Sequence, residues 1–162
     1  MKPHGPIPPA FRADASGMLL IGGDRAEALA DAAGDTPLFV YDSAVLTARV
    51  AEWRAAMPKQ VQLHYAMKAN PYAPLLAHMA GLVDGFDVAS GGELKAALAS
   101  GMAAVHISFA GPGKRDRELE AVITAGATLN LESMGGGERA LSIAQPPGVV
   151  PRPAGRGHPE FG

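Results

Sequence analysis

The chain contains no cysteine, which excludes a disulfide framework, a thiolate metal site and a cysteine nucleophile and is compatible with a reducing compartment. It also lacks an excess of charge of either sign. Its 14 lysines and arginines against 16 aspartates and glutamates leave a net charge of −2, which gives no electrostatic basis for binding nucleic acid or an anionic membrane. No apolar run approaches the roughly 18 residues of a membrane span, and the proline-rich residues 1–14 lack the apolar core of a signal peptide. These absences predict a cytoplasmic chain with neither a nucleic-acid nor a membrane partner.

Length and composition bound the fold. The 162 residues are enough for one domain with a hydrophobic core. Apolar residues make up 48% and charged residues 19% of the chain, as in ordinary globular proteins. A complete (β/α)8 barrel needs roughly 250 residues. If the fold is a barrel, the chain therefore holds only part of one.

Short apolar segments alternate with helical segments through most of the chain. Strands are predicted at residues 61–67, 83–88, 105–109 and 128–131, and helices at 73–80, 92–99, 115–125 and 137–144. Glycine follows three of these helices closely, at Gly81, Gly101 and Gly126, as is typical of helix ends. The alternation predicts an α/β fold with a parallel sheet, equivalent to about four to five βα units of a (β/α)8 barrel.

The sequence predicts three regions. Residues 1–35 are expected to form an extended arm, a strand at 18–21 and a helix that Asp24 caps and Gly34 ends. Residues 36–145 are expected to form the barrel part, preceded by a strand at 38–41 and a helix that Ser43 caps. Residues 146–162 are rich in proline and glycine, which argues against a central barrel strand and predicts a degraded or disordered tail.

The segment His64-Tyr65-Ala66-Met67-Lys68-Ala69-Asn70-Pro71 carries the strongest functional signal. A buried strand is predicted to end at Lys68, and desolvation there disfavours the charged form of an amine. A neutral amine is what a Schiff base with a carbonyl compound requires. A lysine that simply extends into solvent is the alternative that position alone favours.

Two motifs carry a family resemblance. Residues 65–70 (Tyr-Ala-Met-Lys-Ala-Asn) resemble the lysine motif of the pyridoxal-phosphate-dependent decarboxylases of ornithine, diaminopimelate and arginine, which share the alanine-racemase-like barrel. Residues 86–94 (Phe-Asp-Val-Ala-Ser-Gly-Gly-Glu-Leu), one βα unit later, resemble the next motif of that family. The resemblance runs from about residue 36 to residue 133 and is greatest to the bacterial subgroup found with exopolysaccharide and exosortase systems.

The resemblance implies pyridoxal 5′-phosphate as cofactor, a basic or diamino acid as substrate, release of CO2, and a homodimer for the full-length parent. It makes Lys68 the catalytic Schiff-base lysine and adds Asp87, Glu93 and Arg156 as cofactor-binding residues. Each has a simpler alternative: an exposed turn carboxylate for Asp87, an acid favoured by the helix dipole for Glu93, and part of a disordered tail for Arg156. Ser90 is expected to cap the helix that holds Glu93.

Other candidate motifs point to structure. The five histidines show no ligand spacing, so no metal site is expected, and His64 is predicted to be a hydrogen-bonded core or cavity-lining residue. Residues 110–114 depart from the phosphate-binding P-loop pattern and are predicted to form a structural βα loop.

Several parts of the family's site have no counterpart in the sequence. These are the histidine that stacks on the cofactor, the glycine-rich phosphate loop, the glutamate that pairs with the pyridine nitrogen, and the carboxyl-terminal β-domain. A truncated or frame-disrupted gene, or a fragment, would explain both this and the tail, and predicts little or no decarboxylase activity. Two alternatives stay open: an alanine-racemase-like cofactor protein, and a non-catalytic remnant.

Overall fold

The computed structural model describes residues 10–144, which fall into two compact units divided between Met57 and Pro58. The first nine residues of the predicted arm, and residues 145–162 with Arg156, lie outside the described residues. Among the described residues, no helix combines the length and the apolar character needed to cross a bilayer.

The first unit is a small antiparallel sheet followed by two helices. Its elements are β1 (Arg12–Ala13), β2 (Leu19–Ile21), β3 (Asp24–Arg25), α1 (Ala26–Ala33) and α2 (Ser43–Ala56), with the strands in the order β1-β2-β3. Asp14 holds the β1–β2 turn, because its carboxylate accepts from Ser16 and from the Met18 backbone and binds the Arg25 guanidinium. The Ser16 hydrogen bond and these other donors lower the pKa of Asp14 to about 2.

Two predicted helix caps in this unit are wrong. Asp24 does not cap α1, because it pairs with Ile21 in the sheet, and the helix starts only at Ala26. Ser43 is the first residue of α2, and Asp42 is the cap instead, accepting from the Ala44 backbone at 2.8 Å. Aspartate and serine cap helices about equally well, so sequence alone does not separate two such neighbours.

The strand predicted at residues 38–41 is also wrong. These residues have no regular secondary structure, and the Phe39 side chain is 84% exposed. A β-strand is stabilised by hydrogen bonds to a neighbouring strand, and within residues 10–144 this segment pairs with none. The apolar residues of this segment are therefore mostly exposed at the surface and do not form a strand.

The second unit alternates strands and helices, as predicted. Its elements are β4 (His64–Ala66), α3 (Ala73–Ala80), β5 (Gly85–Val88), α4 (Gly91–Ala99), β6 (Ile107–Phe109), α5 (Asp116–Ala125), β7 (Thr128–Leu129) and α6 (Met134–Ala144). The four strands are parallel and lie in the order β4-β5-β6-β7, with a helix after each. The α/β prediction is confirmed, although all four strands are shorter than predicted. The end of β4 and the start of β6 are replaced by the 3-10 turns Met67–Ala69 and Ala104–His106.

The two faces of this parallel sheet differ in polarity. Residues directly opposite one another in the ladder share a face, because side chains alternate along each strand. One face is apolar and buried together with Leu76, Leu94, Leu119 and Val122 of the helices; its members are Phe86, Val88, Ile107 and Phe109. The other face carries the polar side chains His64, Asp87, Ser108 and Thr128. The hydrophobic core therefore lies between sheet and helices, and the polar face is left for other contacts.

Candidate active site

Lys68 lies at the carboxyl edge of the parallel sheet, which we define as the ends of β4–β7 and the segments that follow them. Parallel βα folds bind ligands at this edge. Lys68 is exposed in the 3-10 turn directly after β4, and this turn packs against β5. Within residues 10–144 its amine has no hydrogen bond or ion pair, so it is available to a ligand.

The residues around Lys68 hold its turn in place. Met67 is fully buried and anchors the turn in the core. The Tyr65 hydroxyl donates to the Asn70 backbone carbonyl at 3.0 Å, and the Asn70 side chain accepts from the Tyr72 backbone at 3.0 Å. The turn is thus fixed on both sides of the exposed lysine.

Asp87 lies on the strand next to the one that precedes Lys68. It is opposite Ala66, two residues before the lysine, and its side chain is 50% exposed. The residue belongs to β5 itself and not to the turn after it. Its Oδ1 is 3.2 Å from Nδ1 of His64 on β4, which agrees with the prediction that His64 is hydrogen-bonded.

Glu93 and Ser90 organise the start of α4. Ser90 is the N-cap, as predicted, and its hydroxyl accepts from the Glu93 backbone at 3.2 Å. The Glu93 carboxylate accepts from the Ala89 backbone at 2.8 Å. One oxygen of Glu93 is thus engaged in holding the strand-to-helix turn, and a role toward the cofactor stays a prediction.

Sequence reasoning missed an ion pair at the same edge, between a buried lysine and an exposed glutamate. Lys114, only 8% exposed, donates from Nζ to the Gly111 carbonyl at 2.6 Å and to Glu132, and it lies over the Phe109 ring. The other Glu132 oxygen accepts from the Gly111 backbone at 2.7 Å. The Lys114 hydrogen bond, followed by that from Gly111, holds the pKa of Glu132 below its usual range. The pair ties the loop after β6 to the segment after β7.

A second missed carboxylate links two helix starts. Glu118, at the third position of α5, accepts from the Gly91 backbone and from the Arg115 backbone, each at 3.0 Å. These hydrogen bonds lower the pKa of Glu118 to about 2, and the one from Gly91 has the largest effect. The only sequence signal was an acidic first turn, which does not reveal a partner 27 residues away.

A cavity of about 630 Å3 lies on the polar face at the opposite, amino end of the strands. Its lining residues are Gln62, His64, Val105, His106, Ile107, Ser108 and Thr128. The cavity does not include Lys68, and ligands of parallel βα folds bind at the other end. We therefore locate the candidate site at the carboxyl edge. The part of the chain that the structure describes holds no cluster of three or more metal-ligating side chains.

Four parallel strands in chain order, each followed by a helix, fit part of a (β/α)8 barrel, and Lys68 lies at the edge where such barrels bind ligands. Residues 43–137 match the model of the "Pyridoxal-dependent decarboxylase, pyridoxal binding domain" family, which is more than half of the chain. The chain belongs to this family, whose cofactor is pyridoxal phosphate and whose members are decarboxylases. The resemblance read from the two motifs is confirmed.

Individual relatives agree with the family. Diaminopimelate decarboxylase of Neisseria meningitidis is 39% identical over 72% of this chain and 29% of its own length. A 2-[(L-alanin-3-ylcarbamoyl)methyl]-2-hydroxybutanedioate decarboxylase of Staphylococcus aureus is 38% identical over 59% of this chain and 24% of its own. The structure of diaminopimelate decarboxylase from M. jannaschii in co-complex with L-lysine superposes with a TM-score of 0.72 at 28% identity, over 84% of this chain and 33% of that one.

The similar structures carry the alanine-racemase-like (β/α)8 barrel, so the prediction of a partial barrel of this type is confirmed. The chain spans a third or less of the length of these three relatives.

Proposed function

We propose that this chain is the lysine-bearing part of a pyridoxal-phosphate-dependent amino-acid decarboxylase, in which the cofactor is attached to Lys68. The observation that carries the proposal is the position of Lys68 at the carboxyl edge. It is exposed, without a protein partner in the described part of the chain, and held in a turn fixed by buried Met67.

The residues present fit the reactive end of the cofactor. An unpartnered amine can attach to an aldehyde carbon, and a half-exposed carboxylate, Asp87, lies on the adjacent strand. Glu93 lies at the first turn of α4 at the same edge, and Arg156 is proposed as a further cofactor-binding residue. The buried Lys114 is already engaged by Glu132 and the Gly111 carbonyl, so it does not compete with Lys68.

Bound pyridoxal phosphate supplies an electron sink for the bonding electrons left when CO2 departs. The chain's own residues supply the rest of the arrangement. Lys68 Nζ anchors the cofactor and accepts or returns a proton at that atom. Asp87 provides negative charge on the adjacent strand, and the capped turn of Ser90 and Glu93 fixes the loop after β5.

For the whole protein we propose a basic or diamino acid as substrate, diaminopimelate or ornithine being the leading candidates. Diaminopimelate decarboxylases among the relatives support this choice, whereas the S. aureus relative acts on a different carboxylic acid. We further propose a cytoplasmic homodimer. The 162-residue chain alone is expected to release little or no CO2, because it spans a third or less of the length of these relatives.

Borohydride trapping tests the proposal. The purified chain is incubated with pyridoxal phosphate, reduced, digested and analysed by mass spectrometry for the modified lysine. We expect modification at Lys68, its loss in Lys68→Ala, and no change in Lys95→Ala, which removes an exposed lysine of α4. Labelling of Lys95 or Lys59 equal to that of Lys68 would show that the carboxyl edge has no special reactivity, and the proposal would fail.

A further inference from the structure

His64 and Asp87 form a side-chain pair across two adjacent strands of the polar sheet face. His64 begins β4, and Asp87 is the third residue of β5. His64 Nδ1 lies 3.2 Å from Asp87 Oδ1, within hydrogen-bonding distance, and the His64 side chain is 27% exposed. The pair joins a strand that leads to Lys68 with the carboxylate predicted to bind the cofactor.

The sequence makes room for this pair at Gly85. Gly85 lies directly opposite His64 in the ladder. A Cβ at position 85 would be 2.6 Å from His64 Cε1 and 2.8 Å from Nε2, closer than real side chains approach. The missing side chain at residue 85 therefore leaves room for the imidazole over β5, and also for the close approach of the His106 backbone carbonyl.

The chemistry of the two groups fixes the direction of the hydrogen bond. A carboxylate can only accept, so Nδ1 must carry the hydrogen and donate to Oδ1. Among the described residues, the Asp87 side chain makes no other hydrogen bond, so Oδ2 is left without a protein donor. An exposed aspartate that would otherwise sample several rotamers is thereby held by one of its two oxygens.

We infer that His64 is a positioning residue for Asp87: its Nδ1–H holds Oδ1 and so leaves Oδ2 to the ligand of the carboxyl edge. The part of this inference that concerns the cofactor rests on the proposed function, whereas the hydrogen bond itself does not. His64 also lines the cavity at the amino end of the strands.

The first test reads the tautomer of His64 in the chain without cofactor. With 15N-labelled histidine, NMR distinguishes a protonated Nδ1 from a protonated Nε2, and His64→Asn assigns the signal among the five histidines. We expect the Nδ1-protonated form in the wild type and a return to the mixed tautomers of free histidine in Asp87→Ala. A His64 signal that is unchanged by Asp87→Ala would overturn the inference.

The second test measures the affinity for pyridoxal phosphate by titration with borohydride trapping at Lys68. His64→Leu removes the donor and should weaken binding about threefold to tenfold, as expected for loss of one hydrogen bond. His64→Asn carries an amide nitrogen at the position of Nδ1 and should restore most of the affinity. His106→Leu, at an exposed histidine of the same unit, is the matched control and should bind as the wild type does.

The two tests separate the possible failures. If the wild type is not labelled at Lys68 but the tautomer responds to Asp87→Ala, the proposed function fails and the hydrogen bond stands. If the wild type is labelled and a folded His64→Leu binds the cofactor as tightly, the positioning role is wrong. If His64→Leu does not fold, the response of the His64 tautomer to Asp87→Ala decides whether the hydrogen bond exists. A folded His64→Asn that binds pyridoxal phosphate much more weakly than the wild type would then contradict the positioning role.

Discussion

Replacing Glu118 tests whether one carboxylate joins the starts of two helices at the carboxyl edge. Glu118→Ala leaves the Gly91 and Arg115 backbone N–H groups without their acceptor. A hydrogen bond to a charged group contributes about 1.5–3 kcal/mol. Arg115 is exposed, so water can bind its backbone N–H and replace part of the second lost hydrogen bond. We therefore expect the free energy of unfolding to fall by about 2–3 kcal/mol.

The pH dependence of this effect has a definite sign. The pKa of Glu118 is about 2 in the folded chain against 4.5 as the ordinary value. A carboxyl whose pKa is lowered by folding stabilises the fold above its unfolded pKa, and this contribution is lost as the pH falls toward the folded one. The difference between the wild type and Glu118→Gln should therefore be complete at neutral pH and should shrink between about pH 4.5 and about pH 2.

Urea denaturation followed by circular dichroism at neutral and acidic pH measures both effects. Glu120→Ala is the matched control, because Glu120 is an exposed residue of the same helix. A Glu118→Ala variant as stable as Glu120→Ala, or a gap between the wild type and Glu118→Gln that does not narrow in acid, would refute the assignment of Glu118 as the link between the two helices.

Three further predictions concern stability. Gly85→Ala places a Cβ against the His106 backbone carbonyl and should lower the free energy of unfolding by about 2 kcal/mol or more. Gly135→Ala, in open space in α6, should raise it by about 0.5–1 kcal/mol. Urea midpoints shifted in opposite directions would confirm this, and equal midpoints would contradict it. Lys114→Met removes the partner of Glu132 and should lower the free energy of unfolding by about 1–3 kcal/mol. NMR titration should find the pKa of Glu132 raised toward its usual value. An unchanged pKa would show that the ion pair with Lys114 does not lower it. Asp42→Ala removes the cap of α2 and should lower the free energy of unfolding by about 1 kcal/mol, which would appear as a lower thermal midpoint. An unchanged midpoint would show that Asp42 does not stabilise the helix as its cap.

The sequence was sufficient for features that depend on neighbours along the chain. Helix α3 has the predicted bounds, because apolar patterning and helix ends are local signals. The strand before Lys68 exists as predicted but ends at Ala66, and Lys68 is exposed, so the expected desolvation of its amine is wrong. The same local reasoning predicted a strand at residues 38–41, and this was wrong because the segment pairs with no strand among the described residues.

The links at the carboxyl edge needed the fold. Glu118 meets Gly91, and Lys114 meets Glu132, only because parallel strands bring successive loops to the same edge. Even so, Gly111 lies two residues after β6 and Glu132 lies three residues after β7. A comparison of the two loops by their distance from the strand ends could therefore have predicted this contact. His64 was predicted to be hydrogen-bonded, but naming Asp87 as its partner requires the register of β4 against β5. A shift of that register by one residue would place the two side chains on opposite faces of the sheet.

The sheet order β4-β5-β6-β7 is also the order of the strands in the chain. Each of β5, β6 and β7 therefore pairs with the strand made immediately before it, and His64 meets Gly85 after one βα unit. Pairings between near neighbours in sequence close short loops, which lowers the entropic cost of folding and favours speed. Each new strand can therefore pair as soon as its own βα unit has been made, so the second unit can be completed one βα unit at a time in the direction of synthesis.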